Sequence, residues 1–300
     1  RLQAAIREYC AWDGLGRYGL ALQAAQRGLA EGEGSPSARM VLQSNLANCY
    51  YSLGQALEGE GLATTLLASL DSSNTPLSTD DQATRAFARY VRGSCRRLRA
   101  IQETASRAIL ATSALSDLDR AAAEWESFAK SVGQEPLTGV SHTCRGGSLV
   151  AAVLLGKEDP LRAIDTIAHE LESVTDVAPV TRGDWLESYG WWAIFGCEIA
   201  ASDVVASHGE RCERALAVFT NKAYEIAERL DHWALRERAF RYEFALQKRR
   251  TGLAGASADT LVLDREDIRV LSGTMGRFPG FRDLGWTLLR PTGGSSREVH

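Results

Sequence analysis

Six cysteines, five histidines and thirty-eight carboxylates are the residues of this 300-residue chain best able to do chemistry. Their spacing argues for little of it. Cys10, Cys49, Cys95, Cys144, Cys197 and Cys212 form no Cys-x-x-Cys pair and have no His at zinc-ligand distance, so no metal site is expected. His142-Thr143-Cys144-Arg145-Gly146-Gly147 sets a His beside a Cys, but it completes no cysteine-phosphatase loop and offers no third group to orient the base. Asp80-Asp81 lacks the further aspartates that a metal-binding run needs, and fits a helix cap. No catalytic residue, metal or cofactor is therefore assigned, and the protein is read as more binding module than enzyme.

Binding chemistry has better candidates. Trp185, Tyr189 and Trp192 recur at i, i+4 and i+7 and share one helical face, with Trp191 and Ile194 on another. Glu187, Trp191, Ile194 and Glu198 form a second stripe, an amphipathic wall suited to a basic or apolar ligand. The aromatic stretch Trp185–Trp192 is also where an interior pocket would sit if the chain were an all-helical enzyme. Arg236 to Tyr242, followed by Lys248-Arg249-Arg250, is the most basic stretch. Arg238, Arg241, Lys248 and Arg249 are its candidate phosphate contacts, although a solvated helix face also accounts for them. Arg96-Arg97-Leu98-Arg99 reads the same way.

The elements that must carry these residues are helical. Ala, Leu, Arg, Glu and Gln dominate between the seven prolines, and alternating strand patterns are nearly absent. Paired helices are expected over 2–12 and 18–30, 37–53 and 56–70, and 141–155 and 159–174. Single ones are expected from Thr79 or Asp80 to about 112 (bent at Gly93), from Ser116 to 132, over 182–205, and over 209–250 with an interruption at Asp231-His232. Residues 252–258 read as a linker, 265–271 and 281–289 as short helices, and 293–300 as a disordered tail. The organisation is thus a helical domain over 1–251, a linker with C-terminal capping helices over 252–292, and the tail. An apolar fraction of 45% supports a large core, and a net charge of −4 argues against a dedicated nucleic-acid binder. No apolar run is long enough for a membrane span, no signal peptide is visible, and unpaired cysteines suit the reducing cytoplasm.

Asn45-Leu46-Ala47-Asn48-Cys49-Tyr50-Tyr51-Ser52-Leu53-Gly54 resembles the first helix of a tetratricopeptide repeat, where a large–small apolar pair precedes an aromatic and Leu-Gly ends the helix. Leu15–Leu22 and Leu154–Ala163 resemble its turn and second helix. The intervals depart from thirty-four residues, since Gly16 to Gly54 is thirty-eight, and Gly59 stands where a small Ala is usual. The resemblance implies an all-α, tetratricopeptide-like α-solenoid of antiparallel helix pairs with a C-terminal helical cap. It also implies a concave face that binds a protein or peptide, with Asn45 and Asn48 offering amide donors and acceptors to the bound backbone. The chain opens at Arg1 rather than Met, and a preceding DNA-binding part goes with the expectation of a bacterial regulator's sensor. An open groove lined by first helices would favour such a scaffold. An interior pocket with convergent acidic or His side chains would favour the enzyme, and the basic helix 236–250 is the alternative for nucleic acid.

Overall fold

Capping residues and left-handed glycines set the helix boundaries. In the computed structural model, which describes residues 1–72, 76–133, 138–173 and 183–250, there are eleven α-helices and no strand among the described residues. They are α1 (Leu2–Gly14), α2 (Tyr18–Glu31), α3 (Pro36–Ser52), α4 (Ala56–Asp71), α5 (Thr79–Gln102), α6 (Arg107–Val132), α7 (Thr138–Leu154), α8 (Pro160–Glu172), α9 (Gly183–Ala201), α10 (Gly209–Leu230) and α11 (Trp233–Arg250). Ser35, Ser78 and Asp159 open α3, α5 and α8, each side chain accepting from a backbone N–H three residues on, at 3.2, 3.1 and 2.9 Å. Pro36 and Pro160 follow two of these caps at the first helical position, where a missing N–H costs nothing. Gly16, Gly54 and Gly156 turn the chain between pair members with φ of +63, +79 and +67°, which only glycine adopts without strain.

Two boundaries differ from the sequence expectation. The long pattern from residue 79 stops at Gln102 instead of running to 112, and Ser116 lies inside α6 instead of opening it. Glu103 leaves helical geometry (φ −105°, ψ 81°), and a 3-10 turn over Thr104–Ser106 lets α6 fold back onto α5. Gly93 lies inside the unbroken α5. It admits α6, since a Cβ there would lie 2.8 Å from Leu118 Cγ. Gly59 has a similar reason for departing from the repeat pattern: a Cβ would meet Cys95 Sγ at 2.9 Å and the backbone of α3 at 3.1 Å, so even alanine is too large.

Each helix packs on the next, and the odd-numbered helices also pack on one another in the series α1, α3, α5, α7, α9, α11. The result is an all-α, solenoid-like arrangement with an inner layer of odd helices and an outer layer of even ones. Leu42, Leu118, Ile167, Ile194, Phe195 and Phe219 are fully buried between the layers. Burial of that kind supplies most of the driving force, at about 25 cal/mol per Å² of apolar surface. Among the apolar positions of the repeat-like segments Ala163 is buried whereas Leu46, Tyr50, Leu53 and Leu155 are half-buried, and of the two tryptophans on the aromatic face of α9 Trp192 is buried and Trp185 half-buried. The reason on α3 is a rotation by one residue: Ala47, Asn48, Tyr51 and Ser52 face inward, where α1, α2, α4 and α5 surround the helix.

The inner layer is also joined end to end. Trp233 N donates to Leu15 O at 2.9 Å, and the Arg17 guanidinium stacks 4.8 Å from the Trp233 ring centroid. The turn of the first helix pair thereby touches the turn between α10 and α11. All described residues fall within one compact unit, Arg1–Ala258. The linker and capping helices expected over 252–292 and the tail over 293–300 lie outside the described residues. No described helix is long and apolar enough to cross a membrane.

Candidate functional site

The inner helices converge on a cavity of about 170 Å³. Asp13 reaches it from the end of α1 and Tyr18 from the start of α2. Asn48, Tyr51 and Ser52 come from α3, Phe87 and Tyr90 from α5, Val140 and Thr143 from α7, and Glu187, Ser188 and Trp191 from α9. Spacings of three and four residues on each helix keep these side chains on one face. The walls are aromatic: Tyr51 and Tyr90 meet edge to face with centroids 6.3 Å apart.

One end of the cavity is acidic. Asp13 Oδ1 accepts from Tyr9 Oη at 3.0 Å and from Asn48 Nδ2 at 3.2 Å, and Asn48 also donates to Tyr9 Oη at 3.0 Å. Glu187 Oε1 accepts from Trp191 Nε1 at 2.9 Å and lies 3.6 Å from His232 Nε2. His232 Nδ1 accepts the Leu235 N–H at 3.2 Å at the start of α11, so the ring proton sits on Nε2, aimed at Glu187. Burial, then the negative charge of Glu187, pushes the Asp13 carboxyl up to about 7, against the pull of its Tyr9 and His232 neighbours. Burial also acts to raise Glu187, but His232 and Trp191 outweigh it and leave that carboxyl below its ordinary value. Glu187 keeps 32% of its side-chain surface open although it lies deep in the inner layer, because what it opens onto is the cavity. The two carboxyls are thus tuned apart, one ionised and one near its midpoint at neutral pH.

The other polar feature is a hydrogen-bonded chain running outward. Thr143 Oγ1 lies 3.0 Å from Ser188 Oγ, Ser188 Oγ lies 2.8 Å from His142 Nδ1, and His142 Nε2 lies 3.5 Å from Glu170 Oε2. His142 is stacked on Trp192 at 4.6 Å and flanked by Trp185 and Tyr189. Burial, against the pull of Glu170, lowers its pKa and favours the neutral ring. A hydroxyl, a neutral imidazole and a carboxylate in this order have the connectivity of a nucleophile, base and orienting acid. Ser188 lies within α9, however, where its backbone N–H is in the helix ladder and so is not offered to an oxyanion.

The residues singled out from sequence are distributed as follows. Asn48, Glu187 and Trp191 come together at the cavity. Asn45 is buried at 8% exposure but is not among the lining side chains. Glu198 is turned away and forms an ion pair with Arg97, both side chains 1% exposed, so Arg97 is no part of a solvated face. Arg97 also donates to Tyr51 Oη at 3.1 Å and stacks on Phe195. Arg96 and Arg99 pair with Glu60, and Arg96 also with Asp117. On the basic helix Arg238 is 4% exposed and Arg241 pairs with Glu237, so neither stands free for a phosphate. The side chains of Lys248 and Arg249 lie outside the described residues. Cys144 is buried in α7 and burial pushes its thiol far up, which keeps it protonated. Gly146 is a packing glycine, where a Cβ would lie 2.6 Å from the Phe195 ring. No group of His, Cys, Asp and Glu able to hold a metal occurs among the described residues.

Sequence reasoning passed over Asp13, Tyr18, Tyr51, Phe87, Tyr90, Thr143, Ser188 and His232. The available signal was the i, i+3, i+4 run of polar and aromatic residues on successive odd helices: Asn48, Tyr51 and Ser52, then Phe87 and Tyr90, then Glu187, Ser188 and Trp191. His232 carries no such signal, because it reaches the site from a turn. No family model, no curated protein and no solved structure matches this chain.

Proposed function

We propose that residues 1–250 form a non-catalytic ligand-binding domain, a sensor or scaffold module whose inner helices hold a small molecule or a peptide end. The observation that carries this is the convergence of α1, α3, α5, α7 and α9 on one polar, aromatic-walled space. A chain that needed only to fill its inner layer would do so with aliphatic side chains, as α9 does with Ile194 and Ile199. Carboxyls and hydroxyls in such a place cost free energy unless something bonds them. Contact between the first and last turns favours a compact ligand over a long extended segment. A cytoplasmic setting and a role as the sensing part of a bacterial regulator belong to the same proposal, the first resting on six free thiols.

The test is a thermal-shift screen of fragments and short peptides against wild type and Ser52→Leu, which fills part of the cavity. A true ligand at a hundred times its Kd stabilises by about 2.7 kcal/mol, and the larger side chain removes that gain. Ligands that stabilise both proteins equally bind elsewhere and would overturn the reading. A second reading, an all-helical hydrolase, is favoured by the Ser188–His142–Glu170 chain alone. It predicts turnover of small activated esters that Ser188→Ala abolishes.

A further inference from the structure

We infer that the ligand presents a cationic ammonium group, seated between Asp13 and Glu187 against the aromatic walls; the inference rests on the binding role proposed above. Four observations bear on it. Two carboxyls line the cavity and no Lys or Arg does. The guanidinium behind Tyr51, that of Arg97, is already paired with Glu198. Five of the twelve lining residues are aromatic, and the faces of such rings attract cations. Ser52, also at the cavity, is nine-tenths buried, and its hydroxyl interacts with that of Tyr18, which leaves oxygen lone pairs at the cavity wall able to accept an N–H.

Size narrows the class. A cavity of about 150 Å³ in another protein holds benzene, so 170 Å³ takes a head group of similar bulk. A short alkylamine or the amino terminus of a peptide both fit, and they share the ammonium. An anion is disfavoured because Glu187 stays ionised, and a neutral apolar group would offer the Asp13 carboxyl no countercharge.

A proton is linked to this binding. Asp13 faces Tyr9 and Cys10 on its own helix, Tyr18 on α2, Cys49 on α3, Glu187 on α9 and His232 in the α10–α11 turn. No Lys or Arg is among these, and Asp13 titrates near 7. An incoming ammonium favours its ionised form, so binding releases a proton and tightens as pH rises from 5.5 to 8.

The experiment is calorimetry on the full chain with four probes of similar size: butylamine, pentanol, butyrate and alaninamide, the last also in its N-acetylated form. The expected result is that the two amines bind at least tenfold more tightly than pentanol, butyrate and acetyl-alaninamide, with proton release at pH 7 measured across buffers of different ionisation enthalpy. Asp13→Asn is expected to lose at least tenfold in amine affinity together with the pH dependence. The comparison of probes on wild type stands even if that variant folds poorly. Tighter binding of alaninamide than of butylamine assigns a peptide amino terminus, and the reverse order a free amine. Equal or tighter binding of pentanol or butyrate overturns the cation while leaving the cavity as a binding site. Failure of every probe and of the fragment screen alike overturns both.

Discussion

Asp13 shows how one residue can serve a site at a cost to the fold. Its carboxyl, pushed up to about 7, is harder to ionise in the folded protein than in the unfolded chain. Between about pH 4 and 7 the folded state therefore holds more of this proton, and raising the pH through that window weakens the fold, with the loss levelling off above 7. The shift taken alone would correspond to about 4 kcal/mol, and water reaching the cavity should reduce this to about 2 kcal/mol. Asp13→Asn removes the titration while its amide oxygen can still accept from Tyr9 and Asn48. Urea unfolding at pH 5 and pH 8 is expected to show the variant gaining about 1 kcal/mol on wild type at the higher pH, the rest of the effect falling below pH 5. An identical difference at both pH values would mean that Asp13 is ionised normally.

Between elements, the pair Arg97–Glu198 ties α5 to α9 across the inner layer. A buried ion pair need not stabilise more than an apolar pair would, but removing one partner strands the other charge. Glu198→Gln or Arg97→Met should each cost about 3–5 kcal/mol, while Arg97→Met combined with Glu198→Leu should cost far less than their sum. Additive losses in denaturant titrations would show that the two charges do not interact. The limits of sequence reading also lie at this scale. Pro36, Gly54, Gly156 and Asp159 act within one turn of chain, so their helix ends were legible from local chemistry. The break at Glu103 was not, because Arg99, Glu103 and Arg107 continue a good helix pattern and only the packing of α6 on α5 stops it. Asn48, Glu187 and Trp191 could be recognised as candidates on single helices. Asp13 and His232 could not, since they meet only when the last turn reaches the first. Arg97 and Arg238 looked exposed because charge is normally a surface signal, and their burial follows from partners and neighbours far away in sequence.

Closure of the inner layer is a property of the whole molecule, and two glycines allow it to be tested apart from local strain. Gly16 and Gly54 both turn with positive φ, at +63 and +79°. An alanine at either position bears the same left-handed penalty, about 1–2 kcal/mol. The surroundings differ. A Cβ on Gly54 meets nothing within 4 Å, whereas a Cβ on Gly16 would lie 2.6 Å from the His232 ring and 2.7 Å from Ala234 N. Gly16→Ala must therefore push the α1–α2 turn off the α10–α11 turn, weakening the Leu15–Trp233 bond and displacing Asp13 from Glu187. Helices stacked on their neighbours lose protection near a broken contact first. Hydrogen exchange should quicken in α1, α2 and α11 of Gly16→Ala but not in α5 to α7, and ligand affinity should fall. Gly54→Ala should lose stability without either effect. The same exchange pattern in both variants would mean that closure contributes nothing beyond the turn itself, and that the cavity is held by the inner helices alone.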